Sequence, residues 1–550
     1  MAKKSKDDDA ATIAALQRVA ELMQSTSEDL QAFMKSRAVG GAATAGAGAG
    51  QVSSWDDPFS EAVPSTNPPL APTRPVPVVT NTFSAMRVTT ADQAPPVANY
   101  NPGTPEFRYW VANEALARGI RFWGSLLPAG TTWSTSNPMQ VSLVEAGTQL
   151  NANYTRRFGL RFYRQKVREI DIFTAESPDV VCHELGHAVL DALRPQLFHV
   201  ANTETGAFHE SFGDISALLC ALQVPEMRKA VIEETGGRLN TSSRLSRLAE
   251  QLGWGLRQIS PRTVERDCLR NAANRFFYRR PDLVPPVADA SLLSSEEHSF
   301  SRIFTGAFLD ALARMFSAGP SKDEASLLSV SQNIAQILID AVHGASITSA
   351  YFSQVAAAMI QADEARFEGR HKAELTGAFL EHGILSVAST LQMGAAPLPE
   401  AIHLGALDMT GAGGAAIIYS YEDRKDDDAH RLGFGETPDL PLRPLTIGRD
   451  LQLEVHAPED EGRFAVASAT YGAAPYDGAM SQEAASYNFV AGLIQRQQID
   501  LSEATPSLSG AGKKRDGRMT HALVMEGGKS VLKRDGFACG CQWAPRLVCR

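Results

Sequence analysis

The chain has 550 residues, 44% of them hydrophobic, so it is long enough for roughly two to four domains and at least one large core. Its 52 basic and 62 acidic residues give a net charge of −10, which argues against a general nucleic-acid binder or a protein of anionic membrane surfaces. Six cysteines without the spacing of a zinc finger or zinc ribbon argue against a disulfide-rich secreted scaffold and predict reduced thiols.

The first hundred residues predict a helix followed by a linker. Three aspartates at positions 7–9 stand where a signal peptide needs its apolar stretch, so a cytoplasmic location is expected by default, with non-classical export left open. Apolar residues at helical spacing predict an amphipathic helix within residues 1–38. The Gly/Ala-rich and then Pro-rich composition of residues 39–100 predicts a flexible and then semi-extended linker.

Two domains are predicted after the linker, at residues 101–392 and 393–550. From about residue 107 to 173, short apolar segments separated by Gly, Pro, Asn and Ser predict strands, and from 177 to about 391 the pattern is helical. The most apolar window, 327–342, is broken by polar residues and predicts a buried helix rather than a membrane span. Three segments of the second domain, an α/β domain of unknown role, have the alternation of strands: 415–421, 451–455 and 521–525.

The most informative segment begins at Ser177, which can cap a helix that ends before Pro195. Inside this helix, His183 and His187 lie four residues apart and therefore on nearly the same face, where both can hold one metal ion. Glu184, one position further round the helix, can reach toward a water molecule on that ion.

A third ligand is needed, because catalytic zinc usually has three protein ligands and one open position. Residues 203–219 predict a second helix, and Glu210 on it suits the third ligand. Asp214, one turn later, suits a carboxylate that accepts the free N–H of a ligating histidine and fixes its tautomer. A coincidental arrangement of polar residues on two helix surfaces is the alternative.

At these residues the sequence resembles the thermolysin-like zinc metallopeptidases, the gluzincins, whose pattern is His-Glu-x-x-His followed about twenty residues later by Glu-x-x-x-Asp. The resemblance covers about residues 107–390. It implies an α+β fold with a zincin-type two-lobed catalytic unit, in which a strand-rich N-terminal lobe faces a helical lobe. It also implies Zn²⁺ as the cofactor.

The resemblance extends to residues that would bind the substrate. Asn151 and Ala152 resemble the start of the edge strand on which the family pairs a peptide, although a plain turn before a strand is the alternative. Arg270 and His298 resemble the family's carbonyl-binding arginine and transition-state histidine. Otherwise, Arg270 would form a surface ion pair on a helix and His298 would be a solvated residue of a charged loop. Phe198 stands where the family has an auxiliary tyrosine.

The implied function is that of a zinc-dependent endopeptidase, which hydrolyses peptide bonds through a metal-activated water with Glu184 as general base and His298 as a second catalytic group. The expected partner is a peptide or protein substrate, with no nucleic acid and no membrane span. One alternative is a zinc-binding scaffold or assembly protein with a latent or inactive core, which meets protein partners through the N-terminal helix or the C-terminal domain. Another is a peptidase held latent by its Pro-rich linker in the cleft.

The cysteines carry a weaker signal. Cys182 and Cys220 lie within predicted helices and are interpreted as small core residues. Cys539, Cys541 and Cys549 cluster near the end of the sequence, where packed or free thiols are a simpler interpretation than a second metal site.

Overall fold

The computed structural model describes residues 50–56, 73–77, 86–145, 150–168, 170–387, 439–448, 451–459, 480–500 and 519–539. The predicted N-terminal helix within 1–38 and the predicted strand 415–421 lie outside these residues. The described part is a mixed α and β structure with several sheets, as the α+β prediction requires. The boundaries of the predicted domains stay predictions.

The described residues form ten α-helices: α1 Pro105–Gly124, α2 Pro178–Leu193, α3 Thr203–Ala221, α4 Pro225–Thr235, α5 Glu250–Ile259, α6 Glu297–Ala318, α7 Glu324–Gly344, α8 Tyr351–Phe367, α9 Lys372–Glu381 and α10 Gln482–Gln495. They also form sixteen strands: β1 Gln51–Ser53, β2 Thr73–Pro75, β3 Val88–Thr90, β4 Met139–Ser142, β5 Ala152–Thr155, β6 Gly159–Phe162, β7 Arg164–Val167, β8 Ile170–Phe173, β9 Arg247–Leu248, β10 Arg270–Asn271, β11 Leu442–Ile447, β12 Leu451–His456, β13 Ile499–Asp500, β14 His521–Glu526, β15 Lys529–Arg534 and β16 Phe537–Ala538.

The prediction of strands throughout residues 107–173 is wrong for its first part, which is helix α1. Thr104 caps this helix by accepting from the backbone N–H of Phe107, and Pro105 occupies the first turn, where its missing N–H costs nothing. Buried aromatic and aliphatic side chains at helical spacing then hold the helix against the core. The later part of the segment does form strands, β4 to β8.

One five-stranded sheet, here called the N-terminal sheet, has the order β16-β5-β6-β4-β3. Strands β3, β4 and β6 are parallel, whereas β5 is antiparallel to β6 and β16 is antiparallel to β5. The partner of β5 on its outer side therefore comes from the far end of the sequence. It brings Phe537 opposite Tyr154 and Ala538 opposite Asn153.

Helices α2 and α3 cross at the centre of the main hydrophobic core, and glycines allow their close approach. A Cβ atom added to Gly186 would lie 2.8 Å from the Cβ of Ser216 and 3.0 Å from the Cα of Gly213. Because only hydrogen fits there, the two helices can bring polar side chains within reach of one another. Cys182 and Cys220 are buried in these helices, as predicted.

Strands β11 to β15 form a second five-stranded sheet, the C-terminal sheet, with the order β11-β12-β15-β14-β13. The predicted strands 451–455 and 521–525 are confirmed as β12 and β14. Helix α10 packs on this sheet through Phe489, Val490 and Leu493. A buried ion pair joins Arg534, the last residue of β15, to Glu297 in the first turn of α6.

Parts of the predicted linker 39–100 are ordered against the rest of the protein. Strand β3 joins the N-terminal sheet, and β2 places Arg74 3.1 Å from the buried carboxylate of Glu114 on α1, which also binds Arg118. The Trp55 indole packs edge-on against Phe107. These segments differ from a free linker because aromatic and charged side chains find buried partners on α1.

Helix α7 contains the predicted buried window 327–342. Among the described residues it is the single helix whose length and mean hydropathy would suffice to cross a membrane, and 56% of its most apolar stretch is buried inside the protein.

Candidate metal centre

Helix α2 positions three polar side chains on the floor of the site. The hydroxyl of Ser177 accepts from the N–H of Val180 and Pro178 follows in the first turn, so the helix begins where the sequence predicts. His183, Glu184 and His187 are all less than 3% exposed. The contact at Gly186 holds this buried face against α3, which carries Glu210 and Asp214.

His183, His187 and Glu210 converge on one point. Their ligand atoms lie within 4.8 Å of one another. The Nε2 atom of His183 is 3.3 Å from one Glu210 carboxylate oxygen, and Nε2 of His187 is 3.7 Å from the other. Ligands at 2.0–2.2 Å around a tetrahedral ion are about 3.4 Å apart, so the spacing suits such an ion.

These ligand atoms are also unsatisfied in the protein. Within the described part of the chain, Nε2 of both histidines and Oε2 of Glu210 are buried without a hydrogen-bond partner. Buried polar atoms without partners are costly, and in native proteins they indicate an ion or water that completes the site. The three residues therefore fit a metal ion, whose identity the geometry leaves open.

Asp214 and Arg270 support the ligand His183. The Nδ1 atom of His183 lies 3.0 Å from Asp214, which leaves Nε2 directed at the metal position. Arg270 binds the same carboxylate with two nitrogens, at 2.7 and 2.9 Å. Burial alone would raise the pKa of Asp214, but the charge of Arg270 and the hydrogen bonds from both partners hold it well below its usual range.

The site as a whole attracts positive charge. Burial lowers the pKa of His183, but the neighbouring carboxylates of Asp214 and Glu210 outweigh it and raise the pKa to about 9. The protonated ring thus occupies a cluster of carboxylates. A metal ion bound there would displace this proton, so metal binding should release protons at neutral pH.

Glu184 lies beside the ligands with one oxygen unpaired among the described residues. Burial raises its pKa to about 8, opposed by His183 and reinforced by the nearby Glu210 carboxylate. A divalent cation close by would lower this pKa again, because the cation stabilises the ionised form. A carboxyl group whose protonated and ionised forms are so close in free energy is suited to accept and return a proton near neutral pH.

His298 and Arg270 are brought to the site as the resemblance implies, and neither has the alternative environment. Arg270 belongs to the short strand β10, not to a helix, and is 4% exposed. His298 is the second residue of α6, with Nδ1 2.6 Å from Glu296 and Nε2 3.3 Å from Glu210. Its Nε2 also lies 2.6 Å from the carbonyl oxygen of Ala538. Both ring nitrogens therefore face acceptors, an arrangement that a doubly protonated imidazolium would satisfy.

Strand β5 is fastened to α2 by residues that the sequence analysis did not single out. The Tyr154 hydroxyl donates to Asp191 on α2 at 2.8 Å, and Arg156 binds the same carboxylate at 2.7 Å. These bonds tie the β5 region to the helix that carries His183, Glu184 and His187. The side chain of Asn151 accepts from the N–H of Ala152, so Asn151 shapes the start of the strand.

A segment from the end of the described chain fills the groove between β5 and the metal centre. The N–H of Cys539 donates to the carbonyl of Ala152 at 3.0 Å and to Glu184 at 3.1 Å. The Cys539 carbonyl accepts from Arg270 at 3.3 Å. Its thiol lies within 4.8 Å of ligand atoms of His183 and Glu184. The segment was not predicted here, because Cys539 is 355 residues from Glu184 and no local pattern indicates the contact.

The ring of Phe537 covers the metal centre on the other side. It stacks on His187 at 4.7 Å between centroids and on His209 at 3.9 Å. His209 is fully buried, and its ring nitrogens lack partners in the described structure, although the sequence analysis gave it no role. Phe198 meets Phe537 edge-on. A phenyl ring without a hydroxyl therefore occupies the position where the resemblance would place a tyrosine.

No protein-family model matches this sequence, and none of the curated proteins matches it significantly.

Proposed function

We propose that the protein is a zinc-dependent endopeptidase with Glu184 as general base, built on a zincin-type two-lobed catalytic unit. The observation that carries the proposal is the peptide bond between Ala538 and Cys539. Its carbonyl oxygen faces His298, and its nitrogen faces Glu184. These are the two ends of a peptide bond that a hydrolase must stabilise and protonate.

The residues present would hold zinc through His183, His187 and Glu210, and zinc bound there would polarise the carbonyl group and make a water molecule more acidic. Glu184 would take a proton from the attacking water and deliver it to the leaving nitrogen. His298, as an imidazolium, would donate to the oxygen on which negative charge develops. Arg270 would hold the next carbonyl along the peptide.

Peptides are supported as the substrate class because the groove binds backbone. Strand β5 offers N–H and C=O groups along one edge, and an extended chain can pair with it whatever its side chains. Asp191 would act through Tyr154 and Arg156 as a positioning residue, since it sets the distance between this edge and the helix α2.

The test compares purified wild-type protein with Glu184→Gln for zinc content and for cleavage of casein or a quenched peptide. The variant should keep one zinc per chain and lose at least about 100-fold in rate, because the ligands remain and the base does not. Glu226→Gln, at an exposed position of α4, is the matched control and should behave as wild type.

The outcomes separate the two candidate functions. Cleavage by Glu184→Gln at the wild-type rate would refute the assigned mechanism. One zinc per chain with no cleavage by any form would instead support the zinc-binding scaffold. The segment that fills the groove is the observation that favours this second candidate.

A further inference from the structure

The segment Phe537–Cys539 is bound in the manner of a substrate rather than as an ordinary edge strand. Its peptide groups contact Glu184, His298 and Arg270, the residues proposed to act on a substrate. In an ordinary sheet the same groups would face water or another strand. Here a carboxylate, an imidazole ring and a guanidinium converge on the Ala538 carbonyl and on the N–H and carbonyl of Cys539.

The direction of the segment also suits cleavage. It runs antiparallel to β5, with the Ala538 carbonyl on His298 and the Cys539 amide shared between Ala152 and Glu184. The same His298 nitrogen lies 2.6 Å from this carbonyl oxygen and 3.3 Å from Glu210, so one ring contacts both the carbonyl and a candidate metal ligand. The Ala538–Cys539 bond therefore occupies the place where a bond would be cut.

The segment is held there by its neighbours on the N-terminal side. Arg534 is anchored by its buried ion pair with Glu297, and its guanidinium lies 4.2 Å from the centre of the Phe537 ring. Two residues later, Gly536 passes so close to β5 that an added Cβ would lie 2.5 Å from the Tyr154 carbonyl oxygen. A peptide tethered this closely reaches the site at a high effective concentration and needs little ordering to react.

We infer that the Ala538–Cys539 bond, held between His298 and Glu184 on the edge of β5, is cut by the protein's own site. This inference rests on the proposed function. One water is consumed: its oxygen bonds to the carbonyl carbon of Ala538, and one of its protons passes through Glu184 to the nitrogen of Cys539. The second proton leaves when the new carboxylic acid ionises, and it is taken up by the released amine, which becomes an ammonium group. The C–N bond breaks with its electron pair on nitrogen. The products are a chain that ends in the Ala538 carboxylate and the peptide 539–550, which begins with the Cys539 amine.

Until the cut is made, the same contacts exclude other peptides from the groove. The segment would therefore keep the peptidase latent until the cut, a role that the sequence analysis gave to the Pro-rich linker. The described parts of that linker pack against α1 or at the opposite edge of the N-terminal sheet, at β3.

The register can be tested without metal and without activity. Asn153 and Ala538 are directly opposite and form a pair without hydrogen bonds, in which Cα atoms approach to about 4.5 Å, within the range of a disulfide. The double variant Asn153→Cys/Ala538→Cys is made in a metal-free Glu184→Gln chain with Cys539, Cys541 and Cys549 changed to serine. It should form an intramolecular disulfide on mild oxidation.

The control places the second cysteine one residue earlier, as Asn153→Cys/Phe537→Cys. Side chains alternate along a strand, so this cysteine faces the other side of the sheet and should not form the bond. No disulfide in the first variant, or equal yields in both, would show that the segment is not bound in this register and would overturn the inference.

The cut itself is followed by intact mass after zinc is added to metal-free full-length protein. The wild type should lose residues 539–550 with a first-order rate that tenfold dilution does not change, as an intramolecular reaction requires. Cys539→Ser keeps the backbone N–H and should be cut at the same bond. Cys539→Pro lacks that N–H and should stay intact, as should Glu184→Gln.

The other outcomes overturn the inference in distinguishable ways. A wild type that cleaves casein but keeps all 550 residues would leave the proposed function standing and show that the segment is not a substrate. Cleavage of Cys539→Ser but not of the wild type would mean that the thiol blocks the site as a metal ligand. Equal loss of the peptide from Glu184→Gln would point to another protease, and no cleavage of any substrate would remove the proposed function as well.

Discussion

Gly213 on α3 should be required for metal binding because it lies against the ligand His183. A Cβ at position 213 would be 2.6 Å from Cε1, 2.7 Å from Nδ1 and 2.9 Å from Nε2 of that ring. Ordinary contact begins at 3.4 Å, so in Gly213→Ala the ring or the helix must move by about 0.8 Å. The hydrogen bond to Asp214 at 3.0 Å opposes movement of the ring alone.

The expected result follows from the tolerance of a metal site. Metal–ligand distances vary by about 0.2 Å, so a displacement about four times larger weakens the His183 bond substantially. We expect zinc affinity to fall by at least about 10- to 100-fold, or about 1.4–2.7 kcal/mol. The metal-free protein should lose about 1–3 kcal/mol of unfolding free energy through overpacking.

Zinc affinity is measured by competition with a chromophoric chelator, and stability by guanidinium unfolding of the metal-free protein. Gly119→Ala is the matched control: its Cβ would meet the flexible side chain of Leu185 at 2.5 Å and no metal ligand. It should lower stability while leaving zinc affinity within about threefold of wild type. A Gly213→Ala protein with wild-type affinity would refute the reasoning.

Three further predictions concern charged groups. Asp214→Asn should weaken zinc binding by about 10- to 100-fold in the chelator assay, because the His183 ring loses a charged acceptor. Burial raises the pKa of Glu114, but its two arginine partners outweigh burial and lower the pKa to about 2. A carboxylate with a lowered pKa stabilises the fold above its unfolded pKa, so about 3 kcal/mol should be lost as pH falls from about 4.5 to 2. Glu114→Gln should remove that part of the pH dependence in urea unfolding; an unchanged slope would contradict the assignment. Arg534→Met should cost about 3–5 kcal/mol by leaving Glu297 buried without its partner, and adding Glu297→Gln should restore most of it.

The sequence predicts the metal centre well where the geometry is local. The spacing of His183, Glu184 and His187 determines their positions on one helix, because four residues bring a helix back to the same face. Glu210 and Asp214 need a second helix to pack correctly, and here the helical pattern and the carboxylate spacing together suffice. These residues are brought together as the sequence analysis expected, whereas their roles stay predictions.

Less local features were harder to predict. Arg270 and His298 approach the site from β10 and α6, and only the resemblance indicated them. The region of helix α1 was predicted as strands because its glycines and aromatic residues locally favour strands and turns. Its packing against the core outweighs this local preference. No pattern within a short window could indicate that Cys539 reaches Glu184, since contacts between distant parts of a chain depend on the whole fold.

The pairing of β16 with β5 has a consequence for the order of events during synthesis. Glu184 and Cys539 are 355 residues apart, which a ribosome takes roughly 20 to 70 s to cover at about 5–20 residues per second. All proposed ligands and His298 leave the ribosome well before the segment that covers them. For that interval the outer edge of β5 lacks its partner β16 and lies beside a nearly complete metal centre. Other chains in the cell could then pair with this edge or reach the metal centre.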